Sequence, residues 1–243
     1  MSKLADAIRR TMRSEATPMG FGAARAIPKP TMLVGAFGAG GSEADIVVVD
    51  GRAGAPSAKE IERAKGEFAT AVGLRANQVD RSLLGELRRS GLDFLIFEPE
   101  ATPAAALLDD EIGYVMALQG QPDEAFLRSL GPLNLDAFYL EDIPSPLTVA
   151  RQLELTRIGV FGGRPVITRV KADADKTELE CLRAAGVVGL LVEDARGVAK
   201  LKDTVMALPP RRLRKEERPS VAVSLPRAQP QHDHDDDDDD DDD

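Results

Sequence analysis

A single (β/α)8 barrel of the α/β class is predicted by three features of this chain. Eight short apolar runs rich in β-branched residues recur between residues 31 and 193. Segments with helical spacing separate them. Two units, LRRSGLDFLIFE and LRAAGVVGLLVE, repeat one pattern: a helix ending in glycine, then a buried run ending in an acid. Near-continuous apolar runs of this kind are what strands buried on both faces look like, as in parallel sheets. Eight regular repeats favour closure over an open, doubly wound sheet.

The predicted strands are residues 31–37, 45–50, 69–75, 92–98, 112–119, 135–141, 165–171 and 187–193. The helix after the second opens with a capping box, Ser57-Ala-Lys-Glu60, and Gly66 is placed to stop it. Residues 77–90 put Val79, Leu83, Leu84 and Leu87 on one helical face, followed by Gly91. Residues 122–130, 146–158, 175–185 and 196–208 behave similarly. The seven residues GAGGSEA between Phe37 and Asp45 are short for a parallel crossover. Either the first strand pairs differently, or one helix is missing there.

The TIM-like barrel is therefore assigned to residues 31–208, preceded by a helix and a Pro/Gly-rich lead-in over 1–30. Leu4, Ala5, Ile8 and Met12 share one face of that helix, which suits a cap on the bottom of the barrel better than a membrane-surface helix. Pro209 and Pro210 end the last helix; residues 209–226 read as a charged extension and strap, and 227–243 as a disordered poly-Asp tail.

The formal charge of -10 belongs to that tail, because Asp233 and Asp235 to Asp243 account for all of it. A neutral body offers no field for phosphates, so no nucleic-acid partner is expected. No apolar run approaches the length of a membrane span and the N-terminus lacks a secretory h-region, so a soluble cytoplasmic protein is expected. The lone cysteine, Cys181, reads as a buried structural thiol, and there is no CxxC or Cys/His metal spacing. Both histidines, His232 and His234, lie in the tail, so acid–base work in the fold must come from carboxylates, Lys171 or Tyr139. Nothing points to a nucleotide, flavin or haem. The loops after strands seven and eight carry Asp173, Asp175, Glu193 and Asp194, which repel a phosphate, and GAGG at 38–41 reads as a tight turn.

Reactive groups of such barrels sit at the C-terminal ends of the strands. There the chain carries Asp50 and Arg52, Arg75, Glu98 and Glu100, Gln119 and Gln121, Glu141 and Asp142, Arg169 and Lys171, and Glu193 and Asp194. Strand parity lets Glu98, Glu141 and Glu193 point inward at the mouth, with Arg169 and Lys171 on the inward parity of strand seven. The candidate catalytic residues are Glu98, Glu141 and Lys171. Arg169, Asp50 and Gln119 would bind substrate. Glu98, Glu141 and Glu193 would be the ligands of Mg²⁺ or Mn²⁺, which polarises a carbonyl or stabilises an enolate. A Schiff base on Lys171 is a weaker alternative, since nearby acids work against it. These charges also suit simple pairing across the mouth, Arg169 with Glu141 or Glu193.

The runs Ala184 to Glu193 and Ser90 to Glu98 resemble the aldolase-type barrel superfamily over about residues 31–208. That resemblance implies the barrel architecture. Schiff-base aldolases of the superfamily often carry their lysine on strand six, where this chain has Leu140-Glu141; its lysine is on strand seven. Two functional readings stay open. One is a metal-assisted lyase or aldolase-type enzyme acting on a small carbonyl or carboxylate compound. The other is a non-catalytic, degenerate barrel serving as a scaffold, with the acidic tail docking a basic protein partner.

Overall fold

In the computed structural model all eight predicted runs form strands that close into one parallel barrel in chain order. They are β1 (Leu33–Phe37), β2 (Ile46–Asp50), β3 (Ala71–Ala76), β4 (Phe94–Phe97), β5 (Gly113–Ala117), β6 (Ala137–Leu140), β7 (Val166–Arg169) and β8 (Val187–Val192), which pairs back onto β1. The structure describes residues 2–12, 31–38, 43–54, 56–65, 71–141 and 143–209, all within the unit Met1–Arg211. The expectations for the lead-in after residue 12, for Gly66, and for the extension, strap and tail beyond residue 209 lie outside the described residues.

The helices are α1 (Lys3–Met12), α2 (Ala58–Lys65), α3 (Arg81–Arg89), α4 (Glu124–Ser129), α5 (Val149–Gly162), α6 (Lys176–Ala184) and α7 (Val198–Met206). The capping box at α2 forms: the Ser57 N–H donates to Glu60 Oε2 at 2.7 Å, and the Glu60 N–H to Ser57 Oγ at 3.4 Å. Helix α3 begins four residues later than its apolar face suggests, because Asp80 accepts from the Leu83 N–H at 2.8 Å and fixes the start there. Asp123, Thr148 and Asp175 cap α4, α5 and α6 in the same way. Helix α5 runs past Ile158 and stops at Gly163, whose φ of 66° only glycine adopts freely.

Two connections lack an α-helix among the described residues. The first strand does pair in parallel with β2 across the short first crossover. It is pinned at Asp45, whose N–H donates to Val34 O at 2.8 Å while its Oδ2 accepts from Val34 N at 3.0 Å. Lys202 of α7 reaches across to Asp45 Oδ1 at 2.9 Å, and α7 packs against β1. Gly35 makes the close approach workable, because a Cβ there would run into the Ile46 backbone carbonyl. Between β4 and β5 there is a 3₁₀ turn, Ala104–Leu108, fastened by the Tyr114 hydroxyl, which donates to Ala106 O at 2.8 Å.

Alternation divides the strand residues into two cores. Val34, Val47, Val72, Leu95, Tyr114, Phe138 and Leu190 face the helix layer. Leu33, Ile46, Phe94, Ile96, Val115, Tyr139, Ile167 and Leu191 fill the barrel. Phe94 lays its ring over Gly73, its partner on the neighbouring strand, where any Cβ would overlap it. The barrel's lower end is closed by α1, which sets Leu4, Ala7 and Ile8 into the interior core. Asp93, just before β4, accepts from the Lys3 and Leu4 N–H groups at 2.8 and 2.9 Å, satisfying two amides of the helix start. Ser2 Oγ donates to Asp136 Oδ2 at 2.9 Å, and Gly113 leaves the room for it. Met12, expected on the buried face, is 46% exposed, since the plug ends one turn earlier. Cys181 is half-buried rather than fully buried. No helix among the described residues is long and apolar enough to cross a membrane.

Leu4 is completely buried. Leu4→Ala should cost about 2–5 kcal/mol in urea unfolding, because the plug cannot collapse into a rigid barrel. Gly73→Ala should cost about 1–3 kcal/mol by overpacking, with much of the loss recovered in the Gly73→Ala, Phe94→Leu double variant.

Candidate functional site at the barrel mouth

The upper end of the interior is polar. Arg75, inward on β3 two residues beyond Gly73, is 5% exposed, and it grips Glu141 at the end of β6 through two hydrogen bonds: Nη1 to Oε1 at 2.8 Å and Nη2 to Oε2 at 2.6 Å. The guanidinium lies 5.0 Å from the centroid of the Tyr139 ring, which Phe37 meets edge-on at 6.4 Å. Two more arginines approach the same carboxylate oxygen, Glu141 Oε1: Arg52 at 3.8 Å and Arg169 at 3.7 Å. Each of these is also held by an outer acid. Arg52 binds Asp50 at 2.6 Å, both about a third exposed, and Arg169 meets Glu193 at 3.3 Å.

The hydrogen bonds from Arg75 hold the Glu141 carboxyl below its ordinary value, outweighing the cost of its partial burial. Asp50 is lowered in the same sense by Arg52. Tyr139 moves the other way: burial pushes its phenol up to about 12, so it stays neutral through the physiological range.

Glu141 divides two open clefts. One, of about 1170 Å³, is lined by Arg52, Arg75, Glu98, Gln119 and Tyr139 and runs out to the start of α5 at Thr148. The other, of about 990 Å³, holds Arg169, Lys171, Asp173 and Glu193. The sequence-predicted residues are thus split. Glu98, Gln119 and Glu141 share the first cleft; Arg169, Lys171 and Glu193 share the second with Glu141; Asp50 stands at the rim on Arg52. The expected metal set Glu98, Glu141 and Glu193 is not brought together, and among the described residues no three His, Cys, Asp or Glu side chains are grouped to hold an ion. The expected pairing of Arg169 with Glu141 and Glu193 forms. Arg52 and Arg75 stand among the strand-end groups of the sequence and Tyr139 among its acid–base candidates, without an assigned role in the site. Parity was the available signal: Ala71, Gly73 and Arg75 are one alternating set, as are Ala137, Tyr139 and Glu141.

No family model matches the sequence, and no curated protein does. Solved structures do. The fold is similar to that of an HpcH/HpaI aldolase from Desulfitobacterium hafniense DCB-2, at 15% identity and a TM-score of 0.50 over 73% of this chain and 94% of that one. It is similar to N-(5'-phosphoribosyl)anthranilate isomerase from Pyrococcus furiosus, at 14% identity and 0.52 over 72% and 98%. A third likeness is to KGPDC from Streptococcus mutans, at 10% identity and 0.58 over 72% and 97%. These likenesses show the TIM-barrel fold. At such identities the likeness is one of fold alone, and the site must be argued from its own residues.

Glu141→Gln should destabilise the protein at pH 7 by about 2–3 kcal/mol in denaturant unfolding, because it strips the buried Arg75 of its counter-charge. The folded-state value of Glu141 is depressed, so its contribution is fully present above the unfolded value and is lost as pH falls through the folded one. The gap between wild type and variant should therefore close as the pH drops below about 4. A gap that stayed constant would place the stabilisation elsewhere.

Proposed function

We propose that this protein is a lyase- or aldolase-type enzyme that acts on a small carboxylate compound bound in the first cleft. The observation that carries this reading is the convergence of three guanidinium groups on one carboxylate oxygen at the floor of an open cleft. Arg75 is committed to Glu141 by two short bonds in a buried setting, and neither partner leaves cheaply. Arg52 is different. Its bidentate pair with Asp50 is more than a third exposed on both sides, so it is cheaper to exchange than the buried Arg75 pair. A ligand carboxylate can take over that guanidinium, while Arg169 stands in the second cleft.

The roles then divide by environment. Glu141, held as an anion, orients Arg75. Glu98 has no ion-pair partner among the described residues and lines the cleft, so it is the carboxylate able to accept a proton from substrate. Gln119 lines the same cleft and offers a neutral amide. Lys171 lies in the second cleft, which separates a Schiff base there from this site. The described residues do not fit the Mg²⁺ or Mn²⁺ expectation, because both Glu141 oxygens are taken by Arg75 and two further cations stand beside them. No step is assigned to a metal. One of the three fold neighbours is named an aldolase and another an isomerase, so the names are compatible with the reaction class without specifying it.

Thermal unfolding of the full chain against acetate, propionate and succinate tests this reading. A concentration-dependent rise in Tm is expected, weakened about tenfold in apparent affinity by Arg52→Ala and not enlarged by Mg²⁺ or Mn²⁺. No response to any carboxylate, or an unchanged response in the variant, would overturn it.

A further inference from the structure

The outer helices of a barrel turn one face to the strands and the other to water, and the water face is normally charged. Helices α2, α3, α4, α6 and α7 follow this rule, exposing Glu62, Glu86, Arg128, Lys176 and Lys200 respectively. Helix α5 does not. Among the described helices it alone exposes no charge: its exposed positions are Val149, Ala150, Leu153, Thr156 and Val160. Three of these are bulky and far out in solvent, Val149 at 72%, Leu153 at 65% and Val160 at 69%. The charges of the helix are turned aside. Arg151 pairs with Glu154 at 2.6 Å, and Arg157 donates to Pro122 O at 2.7 Å. The outward stripe therefore comes in addition to Leu155 and Ile158, which pack into the core beneath the helix. Apolar surface of this kind, gathered on one face, marks a contact with another molecule.

We propose that two copies of this chain associate through the stripe, α5 against α5 in antiparallel order. The argument is self-complementarity. Val149, Leu153, Thr156 and Val160 are spaced by four, three and four residues, the steps at which two helices interlock their side chains. Antiparallel pairing about a two-fold axis sets Val149 opposite Val160 and Leu153 opposite Thr156. At the flanks Arg157 comes beside Ala150 of the second copy, and Gln152 beside Gly159. Each larger side chain meets an equal or smaller one, no like charges face each other, and the two helix dipoles oppose. A strongly charged partner finds no counter-charge on this face, whereas a second copy needs none. A single helix pair buries less than the roughly 1,200 Å² of standard interfaces, so a micromolar dimer is expected. Leu153 also lines the outer part of the first cleft, so the second copy would stand at that cleft's edge. The inference does not depend on which ligand the cleft takes.

Sedimentation equilibrium of the full chain at about 0.15 M salt, where surface charges are screened, tests it. Between about 1 and 200 μM the average mass should climb from that of a monomer towards twice that value. Leu153→Glu, and Val160→Glu at the helix end remote from the cleft, should each weaken association at least tenfold while leaving Tm unchanged. A wild type that stays monomeric throughout would overturn the proposal, and a fall in Tm of Leu153→Glu would then assign the stripe to another segment of the same chain. Variants that associate as well as wild type would overturn it too, placing the contact elsewhere. Should the glutamate variants fail to fold, cross-linking decides. Val149→Cys and Val160→Cys chains, each also carrying Cys181→Ser, are mixed under mild oxidation. The antiparallel order predicts the mixed disulfide in excess over either homodisulfide; equal yields would overturn it.

Discussion

A guanidinium that is 5% exposed at the end of an apolar barrel is costly to hold there, and the upper half of this structure is arranged around meeting that cost. Arg75 cannot neutralise itself, so it must be paired and hydrogen-bonded. Glu141 supplies both oxygens, the Tyr139 face supplies a π surface, and Arg52 and Arg169 come to the same carboxylate with their own outer acids. The result is a charged lid on an apolar interior. It also partitions the mouth, because Glu141 stands as a wall between the two clefts.

The opposite end shows the same constraint met by apolar means. A closed barrel has two open ends, and the lower one is stoppered by Leu4 and Ile8 of α1, held by Asp93 on the helix's first amides. Between plug and lid the interior is filled by uneven partners. Phe94 reaches over Gly73, and Gly35 lets β1 approach β2 where the crossover is shortest. Where two connections lack an α-helix among the described residues, α7 and the Tyr114-bound 3₁₀ turn fasten the strands. Barrel closure is thus a property of the strands, and the helices adapt to it.

The contrast between pairs at the mouth is what makes it a candidate site. Exposed and buried ion pairs have the same chemistry but different exchange costs. Arg75 with Glu141 is a fixed element; Arg52 with Asp50 is a replaceable one.

The eight strands, the capping box at Ser57 and the acids at strand ends were legible in the sequence, because burial on both faces and the satisfaction of helix-end amides are local demands that leave local patterns. The lateness of α3 was legible only in part: Asp80 is an evident cap, but its choice over the preceding residues depends on where β3 ends. Arg75 was hidden in plain sight. Its parity places it inside, yet a cation inside a barrel is unreadable without its partner, and Glu141 lies 66 positions away. The assignment of Glu98, Glu141 and Glu193 to one metal group failed to assemble for the same reason. Parity says which way a side chain points, not which neighbour has already claimed it. The chain by itself determined an eight-stranded parallel barrel with charged groups at its upper rim, since hydrophobic periodicity is written residue by residue. Which of those charges are fixed, which are exchangeable, and which cleft each faces was decided only by the closed tertiary structure, because ion pairing and burial are set by contacts between strands far apart in sequence.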